Sequence, residues 1–260
     1  NKSDLKIYYL YLVISFLFII ATTNYLSLFD IINIANQTDV ISYSEIANKA
    51  PAFPKESNII IQHVGQRFLT PYIVGSLANL LNIDFFLVFK FFTFLFIIFY
   101  CFLITFFIRK FKFNLKVSIL FFSILFLNPY IIRYHIFQPV QVHDMIFFCL
   151  GLVFSLTIIN KNYFINLLIT TVTIYLRQTS IALIIGSSIF LLINKKIKLF
   201  LVLCALSLLS FFIIIKTGNQ ISSKTFPINL AYGLIFYDFN QLEKLIKFLL
   251  LGVMPFAPLL

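Results

Sequence analysis

Carboxylate, phenol, imidazole and guanidinium groups gather in one polar stretch of the sequence, residues 29–67. Within it, Asp39 and Tyr43 stand four residues apart, and Asp30 precedes both. A carboxylate in such a loop can take a proton from a hydroxyl group as that hydroxyl attacks another molecule. We therefore predict Asp39 as a catalytic base, Asp30 as a second catalytic candidate and Tyr43 as a substrate-binding residue.

Arginine and histidine side chains supply the complementary positive groups. A guanidinium binds phosphate through two parallel hydrogen bonds, so Arg67, Arg133 and Arg177 are predicted ligands of an anionic substrate. Arg177 is the sharpest candidate, because an ionisable group within an apolar stretch usually faces a cavity or a partner. His63 and His135 are predicted to assist in binding this anionic substrate or a metal ion. The alternative for these two histidines, and for Arg67 and Arg133, is an ordinary place on the polar surface.

A divalent metal ion is the cofactor that these residue types suggest, although no ligand spacing specifies it. Asp39 and the adjacent pair His143 and Asp144 are the candidate ligands. The alternative for His143 and Asp144 is a cap on the apolar run that follows them. The alternative for Arg177 is snorkelling towards the membrane surface or pairing with an acid such as Asp144. The sequence contains no phosphate-binding loop, Gly-rich dinucleotide fingerprint, zinc-spaced Cys/His set or nucleophile elbow.

A short helix is predicted inside the polar stretch. Ser42 and Glu45 have the spacing of a capping box, and Pro51 marks the end of the helix. This pattern places Asp39 just before the helix and Tyr43 near its first turn. The alternative roles in that setting are a helix cap for Asp39 and an interfacial anchor for Tyr43.

Composition excludes a water-soluble domain. Of 260 residues, 61% are hydrophobic and 11% are charged, with a mean hydropathy of +0.99, whereas soluble domains carry roughly 25% charged residues. The net charge of +11 does not indicate nucleic-acid binding, because the basic residues form short clusters between apolar runs. The cysteines all lie inside apolar runs and are expected to be small buried hydrophobic residues.

The apolar runs predict an all-α, polytopic bundle of about seven transmembrane spans in a single domain over residues 1–260. The chain starts without Met and stops in an apolar run, which is consistent with a piece of a longer protein. The segment 68–83 carries Pro, Gly, Ser and Asn residues, and we expect an interfacial or half-inserted helix there. The predicted apolar runs are 7–28, 85–108, 117–127, 145–159, 163–176, 181–193, 199–215 and 248–260.

This topology separates the charges. Lysine and arginine clusters such as 109–116 and 195–198 fall on the inner side, in agreement with the positive-inside rule. The histidines and every acidic residue except Asp4 fall on the outer side or at its boundary. Because insertion does not force acidic residues to segregate, we predict that the chemistry takes place at the outer face.

Two short motifs carry a resemblance to a known superfamily. The polar stretch contains Asp39-x-x-x-Tyr43-x-x-x-Ala47, and then Arg-Phe-Leu-x-Pro at residues 67–71, directly before the predicted interfacial helix. The chain in this respect resembles the GT-C superfamily of membrane glycosyltransferases. The resemblance implies a polyprenyl-phosphate-linked sugar donor, a glycan, lipid or protein acceptor, and an acidic base in the first outer loop. It also implies a multi-pass protein of the bacterial cytoplasmic membrane.

Two other classes stay open at this point. A transporter or lipid flippase places ionisable residues near the middle of the membrane, often with repeat symmetry, and the sequence shows no repeat. A non-catalytic scaffold subunit would tolerate substitution of Asp39, Arg67 and Arg177 together.

Overall fold

The computed structural model describes residues 2–22, 38–127, 131–132 and 134–224. This part of the chain is mostly helical, as predicted, and it adds a short two-stranded ribbon. In chain order the elements are α1 (Lys2–Thr22), α2 (Thr38–Lys49), β1 (Ser57–Ile61), α3 (Gln62–Gly65), α4 (Leu69–Leu81), α5 (Phe85–Lys110), α6 (Leu115–Phe126), α7 (Tyr134–Phe137), α8 (Val142–Ile159), α9 (Tyr163–Ile174), α10 (Ile181–Ile193), α11 (Ile197–Ile221) and β2 (Ser222–Lys224).

Within these described ranges, three helical segments are long and apolar enough to cross a membrane: Phe85–Lys110, Pro139–Ile159 and Ile197–Ile221. They have 26, 21 and 25 residues, whereas a bilayer core needs about 20 residues of helix. The other apolar helical stretches in the described part of the chain, which include Leu5–Ala21 of α1, have 10–17 residues, so the predicted count of about seven spans is not confirmed. The predicted run at residues 248–260 lies outside the described residues.

The described residues form two compact units. The first comprises residues 2–22, 101–127, 131–132 and 134–137. In this unit α1 packs along the end of α5 through Tyr8, whose hydroxyl lies 3.1 Å from Oγ1 of Thr105. The guanidinium of Arg109 donates to the hydroxyl of Tyr9 and stands 5.5 Å from the centre of its ring.

The second unit comprises residues 38–100 and 138–224 and contains most of the predicted site. Helix α4 crosses α2 very closely at Gly75, where a Cβ atom would lie 2.0 Å from the carbonyl oxygen of Ala47. The buried residues of α4 all face this contact region or the adjoining core: Thr70, Pro71, Val74, Gly75 and Ala78. With 13 residues, α4 is about 20 Å long, which is too short for an ordinary span. Its predicted place at the membrane interface stays a prediction.

A parallel ribbon joins two distant parts of this unit. Strand β1 pairs with β2, with Ser57 opposite Ser222. The hydroxyl of Ser222 donates to the carbonyl oxygen of Ile60. Because β1 leads directly into α3 and β2 directly follows α11, the ribbon fixes the end of α11 beside α3, which carries His63.

The prediction of a capping box at Ser42 is wrong. Helix α2 already begins at Thr38, so Asp39 lies in its first turn and Ser42 lies inside the helix. The Ser42 hydroxyl is fully buried and donates to the carbonyl oxygen of Ile59 at 3.2 Å, while the backbone N–H of Ile61 donates to it at 3.4 Å. Ser42 therefore attaches α2 to β1, and this tertiary contact outweighs the local capping pattern.

Buried polar groups hold α8, α9 and α10 together. The side-chain amide of Asn166 donates to Oγ1 of Thr157 at 2.9 Å. The hydroxyl of Ser187 donates to the amide oxygen of Asn166. All three side chains are buried. Such interhelical hydrogen bonds stabilise helix association where the surroundings are apolar. They join the end of α8 to the start of α9, whereas Asp144 lies in the first turn of α8 and Arg177 follows the end of α9.

Candidate functional site

Helix α2 presents two of the predicted residues on one face. Asp39 and Tyr43 are four residues apart in the helix, so their side chains lie above one another. Tyr43 is 1% exposed, whereas the Asp39 side chain is 37% exposed. Asp39 is thus the accessible member of the pair and Tyr43 the buried one.

Asp39 forms a charge contact with His63. The distance from Nε2 of His63 to Oδ1 of Asp39 is 3.7 Å. This contact, with a further contribution from the positive charge of Arg67, holds the pKa of Asp39 below its usual value of 3.8. The Asp39 carboxyl group is therefore ionised at neutral pH, in the form that accepts a proton.

Tyr43 joins Arg67 to His143. The Nη1 group of Arg67 donates to the Tyr43 hydroxyl at 3.4 Å, and that hydroxyl lies 3.2 Å from Nε2 of His143. The tyrosine and imidazole rings are 4.6 Å apart between centroids. Burial raises the pKa of Tyr43 above its usual value of 10.0. The phenol therefore keeps its proton and can donate it to His143 while it accepts from Arg67.

The first turn of α8 and the turn after α9 bring two more charged residues, Asp144 and Arg177, to this group of side chains. Oδ1 of Asp144 lies 3.4 Å from Nε2 of His143 and 3.1 Å from Nη1 of Arg177. The Asp144 side chain is 11% exposed and the Arg177 side chain is 30% exposed. The pairing of Arg177 with Asp144, which the sequence left as an alternative, is thus present.

Polar atoms near Arg177 have unused hydrogen-bonding capacity. Its Nε atom is buried and has no hydrogen-bond partner among the described residues, and the same holds for the hydroxyl of Ser180. Ser180 ends the 3₁₀ turn directly after Arg177, and its backbone N–H donates to the carbonyl oxygen of Arg177. Buried donors without partners are costly, so this turn has capacity to bind a further polar ligand.

The cluster brings together most of the predicted residues. Those from the predicted site and metal sets that meet in the second unit are Asp39, Tyr43, His63, Arg67, His143, Asp144 and Arg177. His135 is buried in α7 of the first unit, where its ring contacts Tyr134. Asp30 and Arg133 lie outside the described residues. Sequence reasoning missed Ser180, although its place in a polar break after Arg177 is visible in the sequence.

The metal candidates do not form a ligand set. Asp39 pairs with His63, and His143 pairs with Asp144, but within residues 2–22, 38–127, 131–132 and 134–224 no three His, Cys, Asp or Glu side chains are close enough to hold a metal ion. The described side chains therefore do not fit the suggested divalent metal, and the chemistry considered below uses the carboxylates and guanidinium groups alone.

No protein-family model matches the chain, and no curated protein or solved structure is significantly similar to it. The geometry of the second unit is accordingly the basis for a functional proposal.

Proposed function

We propose that the chain is a GT-C-like membrane glycosyltransferase, which transfers a sugar from a polyprenyl-phosphate donor to a hydroxyl group of an acceptor. The observation that carries the proposal is one cluster, built from four separate segments, in which the half-exposed carboxylate Asp39 lies with the guanidinium groups of Arg67 and Arg177. A base and cations that bind a phosphate leaving group are the two requirements of this reaction.

Asp39 is the proposed base. The acceptor oxygen attacks the anomeric carbon of the sugar, and its proton passes to the Asp39 carboxylate as the new carbon–oxygen bond forms. Because the contact with His63 keeps the carboxyl group ionised, Asp39 is in the correct state before the acceptor arrives. The proton then leaves to solvent, which reaches this side chain.

Arg67 and Arg177 are the proposed partners of the leaving group. When the bond between the anomeric carbon and the phosphate oxygen breaks, its electron pair stays on that oxygen and the phosphate gains one negative charge. Guanidinium groups favour the more negative product, and so they stabilise the transition state more than the bound donor. The unused Nε of Arg177 is a donor that this reaction can engage.

The lipid part of the donor requires a membrane environment. Among the residues that the structure describes, three helices are long and apolar enough to cross a bilayer, and two of them, Pro139–Ile159 and Ile197–Ile221, lie in the same unit as the cluster. We propose a multi-pass protein of the bacterial cytoplasmic membrane, with the cluster at the outer face, where α4 borders the entry of the lipid donor.

Transfer in proteoliposomes tests this function. The probes are synthetic polyprenyl-phosphate hexoses and pentoses with a radiolabelled sugar, and the acceptors are octyl glycosides. We expect Asp39→Asn to lower the transfer rate by about 10² to 10⁴-fold. The matched control is Glu45→Gln, because Glu45 lies in the same helix but pairs with Lys49 on the surface. Equal rates for Asp39→Asn and Glu45→Gln would remove Asp39 from the mechanism, and no transfer from any donor by the wild-type protein would reject the function.

A transporter is the second candidate, and the buried contact between Asp144 and Arg177 favours it, because ion pairs at the ends of membrane helices often mark a substrate path. A transporter predicts that Asp144→Asn abolishes solute exchange across proteoliposomes while Asp39→Asn leaves it intact. The glycosyltransferase proposal predicts the reverse order: Asp39→Asn should lower the transfer activity more than Asp144→Asn does.

A further inference from the structure

A second polar site lies in the same unit, at the end of the ribbon where β1 and β2 begin. The loop before β1 and the last turn of α11 enclose a cavity of about 460 Å³, which is within the range of roughly 300–1,000 Å³ for small-molecule sites. The residues that matter for its chemistry are Phe53, Lys55, Glu56, Thr217, Asn219 and Gln220.

An aromatic ring forms one wall of the cavity. Phe53 stacks on Tyr72, with ring centroids 4.4 Å apart and planes 5° from parallel, and contacts Phe68 edge-on. The Tyr72 hydroxyl in turn donates to the carbonyl oxygen of Pro51. Phe53 is nevertheless 43% exposed. The ring is thus held in a fixed orientation with part of its surface open, as a stacking platform for a ligand requires.

The rest of the cavity lining is mostly polar and close to neutral. The side chains of Thr217, Asn219 and Gln220 provide one hydroxyl and two amides, which both donate and accept hydrogen bonds. Lys55 and Glu56 add one positive and one negative charge. A wall of this kind suits a ligand with many hydroxyl groups and no net charge, whereas a phosphate or a nucleotide would require an excess of cations.

The backbone of this wall is fixed in an unusual conformation. Glu56 has φ of 47°, in the left-handed region that residues other than glycine rarely adopt. Its backbone N–H donates to the carbonyl oxygen of Gln220 at 3.0 Å. Such a conformation persists only where surrounding contacts impose it, and it recurs at ligand-binding sites. The two sides of the cavity are thus joined in the absence of a ligand.

One hydrogen bond connects the cavity with the catalytic candidates. Asn219 lines the cavity and accepts a hydrogen bond from the side-chain amide of Gln62, which directly precedes His63. His63 contacts Asp39. The wall of the cavity is therefore attached to the short helix α3, which carries the partner of the proposed base.

We propose that this cavity binds a neutral oligosaccharide, with one sugar ring stacked on Phe53 and the hydroxyl groups bound by Asn219 and Gln220. The acceptor of the transfer reaction is thereby a neutral glycan chain, and this assignment of the acceptor rests on the proposed function, whereas the binding itself does not.

The chain contains no tryptophan, so Phe53→Trp places one fluorophore in the cavity wall. We expect a saturable fluorescence change when this variant, in lipid nanodiscs, is titrated with maltohexaose, mannohexaose or N-acetylchitohexaose. Phe111→Trp is the matched control, since Phe111 is 44% exposed in the other unit, and it should not respond. Adding Asn219→Ala and Gln220→Ala to Phe53→Trp should weaken binding by at least about tenfold.

The outcomes separate the two proposals. If no hexasaccharide changes the Phe53→Trp signal, or if Phe111→Trp responds equally, the glycan site is rejected, even when the protein transfers sugar. If a hexasaccharide binds to Phe53→Trp but the wild-type protein transfers no sugar, the cavity assignment stands and the glycosyltransferase proposal fails. The variant Asp39→Asn combined with Phe53→Trp should bind the hexasaccharide as tightly as Phe53→Trp alone.

Discussion

Arg177 and Asp144 form the closest charge contact of the cluster, with Nη1 3.1 Å from Oδ1, although one follows α9 and the other belongs to the first turn of α8. The carboxylate is nearly buried, and the guanidinium is about a third exposed. The pair therefore links two helix ends and also leaves one side of the arginine accessible.

Asp144→Asn should destabilise the protein, because it leaves the Arg177 charge near an apolar interior without its counter-ion. We expect a loss of about 2 kcal/mol, less than the about 3–5 kcal/mol for a fully buried pair, since water reaches Arg177. The measurement is the thermal unfolding midpoint in detergent. Lys49→Gln breaks the pair of Glu45 with Lys49, whose side chain is 49% exposed, and should change stability by less than about 1 kcal/mol. Equal midpoints for the two variants would contradict the structural role of the pair.

His63→Gln should shift the acid limb of the pH–activity profile upwards. His63 contributes most to the lowered pKa of Asp39, so its removal lets that pKa rise towards 3.8. A lowered carboxyl pKa stabilises the folded protein above the ordinary pKa, and this stabilisation disappears as the pH falls through the lowered value. Transfer rates and unfolding between about pH 3 and about pH 7 measure both effects. The interpretation fails if the acid limb stays in place or moves to lower pH.

Tyr43→Phe should weaken donor binding and leave the fold intact. The substitution keeps the ring and removes the hydroxyl between Arg67 and His143. Tyr43 is a positioning residue, so we expect the KM for the lipid donor to rise about tenfold with little change in kcat. Tyr72→Phe is the control, because it removes a hydroxyl that donates to the carbonyl oxygen of Pro51. A fall in kcat with an unchanged KM would contradict this role.

Gly75→Ala should destabilise the contact between α4 and α2. A Cβ atom at this position would lie 2.0 Å from the backbone oxygen of Ala47, and the backbone cannot yield as a flexible side chain does. We expect a loss of about 2–3 kcal/mol. Gly151→Ala is the matched control, since a Cβ there meets nothing within 4 Å, and alanine favours a helix by about 1 kcal/mol over glycine. Comparable stability of both variants would reject the close crossing.

Helices and the main site residues could be predicted from sequence because their signals are local. Apolar runs mark α5, α8 and α11. The polar stretch before α5 carries Asp39 and Arg67, and the polar break after α9 carries Arg177. The prediction that all three residues lie on the outer side is the basis for expecting them to meet. Their partners were less predictable: nothing local indicates that Tyr43 contacts His143, which lies 100 residues further along the chain.

Long-range contacts explain what sequence reasoning missed. The Ser42 pattern predicts a cap, yet Ser42 binds the backbone of β1, which is a partner outside its own helix. The segment Ser57–Ile61 has no alternation that indicates a strand, and its pairing with Ser222 depends on the end of α11. The cavity beside Phe53 depends on the pairing of β1 with β2 and on the backbone conformation of Glu56, so no spacing of residues in the sequence predicts it.

The parallel pairing of Ser57 with Ser222 also sets an order of events during synthesis. Strand β1 leaves the ribosome early but has no partner until the residues after α11 have been made. Pairings between such distant segments form late, because the chain between them must first be ordered. A polypeptide that has not yet been completed therefore contains Asp39 and His63 but lacks the paired strands β1 and β2 that hold α3 in place. The arrangement of the site can form only when translation has passed residue 224.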